Sequence, residues 1–73
     1  MAYLMDILSS MQDSKGFIWI STGMGLYRYD GTEIIHFGSI DGLPSDVVFE
    51  AIEDFQRRIW VRIIVGEFYR YLS

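Results

Sequence analysis

The sequence predicts an all-β protein built of antiparallel sheets, and three observations carry that expectation. A long stretch of the chain occurs twice. Apolar, β-branched and aromatic residues gather in short runs, and Gly- and Asp-containing turn signals separate those runs.

The repeat is the strongest of the three. Gln12-Asp13-Ser14-Lys15-Gly16-Phe17-Ile18-Trp19-Ile20 returns as Glu53-Asp54-Phe55-Gln56-Arg57-Arg58-Ile59-Trp60-Val61, at an offset of 41 residues (54 − 13, 60 − 19). Upstream, Ile7, Leu8 and Met11 match Val48, Phe49 and Ile52. Downstream, Gly25 matches Gly66, and Tyr27-Arg28-Tyr29 matches Tyr69-Arg70-Tyr71 at an offset of 42 (69 − 27), a slip of one residue. A period of roughly 40 to 45 residues made of short strands is what a four-stranded propeller blade occupies. The expected architecture is therefore antiparallel β-propeller blades, one complete and one incomplete. Residues 1–38 form the first blade, 39–46 the inter-blade loop, and 47–73 an incomplete second blade of three strands.

The elements follow in order. Leu4 to Met11 reads as the first strand, and Asp13-Ser14-Lys15-Gly16 as a tight turn in which glycine supplies a positive φ. Phe17 to Ser21 is apolar at four consecutive positions, so both faces of this second strand are expected to be buried between neighbouring sheets. Thr22-Gly23-Met24-Gly25 turns the chain into a third strand, Leu26 to Tyr29. Asp30-Gly31 is a hairpin signal leading to a fourth, Glu33 to Phe37. Gly38 to Asp46, with Asp41-Gly42 and the only proline, Pro44, links the two repeats. Val47 to Glu53, Arg58 to Ile63 and Phe68 to Leu72 then repeat the first three strands. Val48, Ile52, Phe55 and Ile59 also fall at helical spacing after Ser45 as an N-cap, which leaves a helix from Asp46 to Arg58 as the rival reading.

Composition narrows the function classes. At 73 residues with no cysteine, the chain has neither disulfides nor thiolate zinc sites to hold it together. A chain this short buries only about 60% of the surface its unfolded form exposes. Yet 51% of its residues are hydrophobic and 16% aromatic. So much apolar surface on so short a chain calls for a neighbour, either further blades of a parent chain or other copies of itself. The net charge of −4, with no basic cluster beyond Arg57 and Arg58, gives phosphate backbones no electrostatic partner, so no nucleic acid is expected. No apolar run approaches the roughly 20 residues of a membrane span, and the start of the chain lacks the basic segment of an export signal.

The pattern Asp-Ser-x-Gly-x-Ile-Trp-Ile-x-Thr-x-x-Gly-Leu-x-Arg-Tyr-Asp-Gly, standing at Asp13 to Gly31 and followed by Asp41-Gly42-Leu43-Pro44-Ser45, closely resembles the two-component regulator propeller repeat. Such repeats occur in tandem in the sensor regions of bacterial hybrid two-component proteins. The resemblance implies a periplasmic location within an inner-membrane-anchored parent, whose export signal is not in this chain. It also implies a role in ligand detection, commonly of oligosaccharides. The second repeat departs from the pattern. Arg57 stands where the first has Gly16, Ile63 and Ile64 replace Thr22 and Gly23, and Glu67 stands at or beside the Leu26 position.

Catalytic chemistry finds no support in these residues. The serines Ser14, Ser21 and Ser45 lack a triad context. Gly23-x-Gly25 lacks the third glycine and the helix of a nucleotide site. His36, the only histidine, has no acidic partner at metal spacing, so neither a metal nor a cofactor is expected. Trp19, Trp60, Ile18 and Ile59 are expected in the core. Asp13, Gly16, Gly25, Asp30 and Gly31 are expected to shape turns. Tyr27, Tyr29, Tyr69 and Tyr71 alternate with Arg28 and Arg70 along the third strands as half-buried packing. A ligand would meet one rim, formed by the 38–46 loop and the turns after Thr22 and Ile63, where Asp41, Asp46 and Arg62 are the polar groups.

Overall fold

A computed structural model of the chain describes residues 6–63 and the backbone of 69–72. It is all-β: strands β1 (Ile7–Gln12), β2 (Ile18–Thr22), β3 (Gly25–Tyr29) and β4 (Ile34–Phe37) form one antiparallel meander. After a single 3-10 turn at Ser39–Asp41, strands β5 (Glu50–Glu53), β6 (Ile59–Arg62) and β7 (Tyr69–Leu72) form a second antiparallel sheet, in the order β5-β6-β7. The segment with helical spacing is a strand and a turn, and no helix runs from Asp46 to Arg58. Its β-branched residues pair across β5 and β6 in the register of the first repeat. Gly66, Ile64, Glu67 and the turn after Ile63 lie outside the described residues.

The repeat recurs as register. Met11 pairs with Trp19 and Trp19 with Arg28 in the first sheet; Ile52 pairs with Trp60 and Trp60 with Arg70 in the second. The one-residue slip reappears at the end of the ladder, where Ile59 faces Leu72 across an irregularity, whereas its counterpart Ile18 faces Tyr29.

The hairpin turns show how the same conformation is met by different residues. Gly16 closes the β1–β2 turn at φ 91°, and Arg57 adopts φ 64° at the equivalent place, alone among the described non-glycine residues. A Cβ in this region meets the carbonyl oxygen, at about 1–2 kcal/mol. Arg57→Gly is therefore expected to raise stability by about 1 kcal/mol, read as a higher urea midpoint at unchanged slope. Gly25, at φ 118°, is sterically required: a Cβ there would run into the His36 imidazole and come within 2.8 Å of the Phe37 carbonyl oxygen.

The core lies between the two sheets. Trp19 and Leu26 from the first sheet, Ala51, Ile59 and Val61 from the second, and Leu43, Val48 and Ile63 beside them are buried, with Met11, Phe17 and Phe37 packed against them. This arrangement corrects the expectation for Ile18. Strand alternation places Trp19 and Ser21 on the inner face of β2 and Ile18 on the outer. Among the described residues only the inner face has a neighbour, so Ile18 is 36% exposed rather than core. Trp60 is half-buried, because it occupies the outer face of the second sheet.

Candidate functional site

Two hairpins of identical design flank a cleft between the sheets. In the first, Asp13 Oδ1 accepts the backbone N–H groups of Lys15 and Phe17, both at 2.9 Å, and Oδ2 accepts the Trp19 indole N–H at 2.8 Å. In the second, Asp54 Oδ1 accepts the N–H groups of Gln56 and Arg58, and Oδ2 accepts the Trp60 indole at 2.9 Å and Arg58 Nε at 2.8 Å. Each carboxylate thus ties a turn to the tryptophan six residues on. Asp13 and Asp54 do more than cap a turn, and the identical Asp-to-Trp spacing in both repeats was the signal for it.

The bonds to Asp54 depend on its charge. The Trp60 indole N–H, together with the donors of Arg58 and Gln56 and against the push of desolvation, holds the Asp54 carboxyl well below the usual carboxylate range. The N–H groups of Glu33 and Thr32 lower that of Asp30. Both groups titrate lower in the folded chain than in the unfolded, so their stabilisation is complete above about pH 4–5 and is lost as pH falls through the folded values. The thermal midpoint is expected to drop as pH is lowered from about 5 to about 2, with a shallower slope in Asp54→Asn.

The cleft has a volume of about 240 Å³ and is lined by Asp13, Lys15, Phe17, Trp19 and Arg28 of the first repeat and Glu53, Arg57 and Ile59 of the second. Its anions are already engaged. Glu53 accepts Ser14 N–H at 2.8 Å and Ser14 Oγ–H at 2.6 Å, which also clamps the first turn to the second sheet. Arg28 lies with its guanidinium carbon 4.7 Å from the Phe17 ring centre and 5.7 Å from those of Trp19 and Phe37. Its Nε is buried and makes no hydrogen bond among the described residues. The cleft therefore sets the half-buried Phe17 beside the cations Lys15, Arg28 and Arg57, a setting that suits a ring bearing an acidic group.

The residues expected at the opposite rim are placed differently. Asp41 Oδ2 accepts Gly38 N–H at 2.9 Å, and Asp46 accepts Ser39 N–H at 2.6 Å and Ser39 Oγ–H at 3.2 Å, so both carboxylates close the start of the linking loop. Arg62 reaches Glu50 at 3.4 Å and lies 5.4 Å over the Phe49 ring, on the second sheet. These contacts hold the loop and the β5–β6 hairpin; they do not draw the three residues into one site. The loop is tied to the β2–β3 turn by Val48 N–H donating to Thr22 O at 2.9 Å. His36 donates from Nε2 to Met24 O at 2.9 Å and its ring packs on Tyr27, with centroids 4.8 Å apart. Asp30 Oδ1 accepts the N–H groups of Thr32 and Glu33, both at 2.8 Å, and Gly31 follows at φ 101°.

Among the described residues, no three His, Cys, Asp or Glu side chains are grouped to hold a metal, and no helix is long and apolar enough to cross a membrane. No family model, no curated protein and no solved structure matches the chain.

Proposed function

We propose that this chain forms two repeats of the periplasmic ligand-sensing propeller of a hybrid two-component sensor, as a non-catalytic binding and signalling module of an inner-membrane-anchored parent. One observation carries the reading: the same Asp–Trp hairpin is built twice, and the two sheets that contain it stack face to face. The motif from Asp13 to Gly31 and its close resemblance to the two-component regulator repeat supply the protein class. An oligosaccharide carrying acidic groups is the ligand class that the inter-sheet cleft favours, with the half-buried Phe17 for the sugar face and Lys15, Arg28 and Arg57 for the charge. The lining comes from both sheets, so a ligand there binds one placement of the sheets better than another, which is the requirement for a signal.

Calorimetric titration of the whole chain with uronic-acid-containing and neutral oligosaccharides tests this. The acidic series is expected to bind, and Lys15→Glu, an exposed change, to weaken it by about tenfold. Absence of binding by both series would overturn the sensing role. The second reading, a small self-assembling structural or carbohydrate-binding module, is favoured by the apolar residues on the outer sheet faces.

A further inference from the structure

The two outer faces are not unrelated surfaces. At the repeat offset, Ile18 and Ile20 correspond to Ile59 and Val61, while Ile52 and Trp60 correspond to Met11 and Trp19. Within the chain, the face bearing Met11 and Trp19 is packed against the face bearing Ile59 and Val61. The outer face of the first sheet is thus the counterpart of the one that receives in this interface, and the outer face of the second sheet is the counterpart of the one that inserts. Among the described residues each lacks its complement, and the burial values record it: Ile59 is 5% exposed but Ile18 36%, and Ile52 is 38% exposed.

A third position belongs to the same surface. Ser14 is the turn residue that reaches across the interface to Glu53. Its counterpart is Phe55, which is 95% exposed, at the position from which a following sheet would be reached. An aromatic side chain left in water at the edge of an apolar face costs solubility unless something covers it.

We infer that copies of this chain associate head to tail, the outer face of the second sheet in one copy (Ile52, Phe55, Trp60) packing on the outer face of the first sheet in the next (Ile18, Ile20). The contact repeats the intrachain interface between copies. It is heterologous, and so closes into a ring or grows as an open chain. With two sheets per copy, roughly two to four copies would supply the four to eight blades of a closed propeller. The inference rests on the stacked repeat, not on the sensing role, and survives if oligosaccharides fail to bind.

Light scattering on the whole chain at micromolar to millimolar concentration is the test. The expected mass is a multiple of the 8.5 kDa chain; a folded monomer throughout the range would overturn the inference. Two exposed substitutions then establish the polarity. Ile18→Glu damages only the receiving face and Ile52→Glu only the inserting face, so each variant alone is expected to be monomeric with an unchanged far-ultraviolet spectrum. Mixed in equal amounts they retain one intact pair of faces, and a two-chain species that grows no further is expected. A mixture that stays monomeric, or a single variant that still forms dimers, would overturn head-to-tail packing. Should either variant fail to fold, the mass of the unmodified chain decides.

Discussion

Trp19→Ala is expected to abolish the folded state. Trp19 is 1% exposed, its indole bonds to Asp13, and its ring lies 6.0 Å from that of Phe37. Truncating a buried tryptophan costs about 3–5 kcal/mol, from lost burial and the cavity left behind. A single core of this size rarely supplies more than about 3–5 kcal/mol in total. The loss therefore meets or exceeds the whole stability, and the near-ultraviolet signal and the cooperative urea transition should both disappear. Trp19→Phe keeps most of the volume but strands an acceptor of Asp13, and should retain a transition shifted by about 1–2 kcal/mol. Trp60→Ala, at a half-buried position, should cost clearly less in a monomer. A cost equal to that of Trp19→Ala would mean that the outer face is covered in solution.

Asp13→Ala is expected to cost about 3 kcal/mol. Asp13 is 8% exposed and its two carboxylate oxygens serve three donors: the N–H groups of Lys15 and Phe17 and the indole of Trp19. Bonds to a charged acceptor contribute about 1.5–3 kcal/mol, and buried donors left unpaired cost about 1–3 kcal/mol each. Some of that is recovered by water at the exposed end of the turn. Urea unfolding measures it, and Asp13→Asn, which can still accept at Oδ1, should recover part of the loss. A cost below about 0.5 kcal/mol would show that Gly16 alone makes the turn and that the indole bond contributes nothing to stability.

The strands and turns were legible because each is decided locally. Asp13 to Gly16, Thr22 to Gly25 and Asp30-Gly31 contain the residues that their backbone angles require, and the runs between them are rich in β-branched and aromatic side chains. The repeat weighed against the helical alternative at residues 46–58, since it laid Ile52 over Met11 and Trp60 over Trp19, but only the pairing of β5 with β6 removed it. The Asp-to-Trp bonds were visible as a spacing but not as a contact, because a six-residue separation around a turn becomes short only once the hairpin has closed.

The candidate site was less legible. Asp41 and Asp46 read as polar loop residues available to a ligand, yet nearby N–H groups at Gly38 and Ser39 engage them, as backbone donors near a short carboxylate commonly do. The cleft is formed by Lys15, Phe17, Trp19 and Arg28 from one repeat and Glu53, Arg57 and Ile59 from the other. No separation along the chain announces that grouping.

Pattern and propensity along the chain determined that the protein is β, where it turns, and that one hairpin is made twice. Which face of each sheet is buried was decided only by tertiary packing. A run such as Ile18-Trp19-Ile20 is apolar on both sides, and alternation assigns its residues to two faces without saying which one meets a neighbour. Stacking the first sheet on the second resolved that choice in favour of Trp19, and left Ile18 on the face turned away from the core.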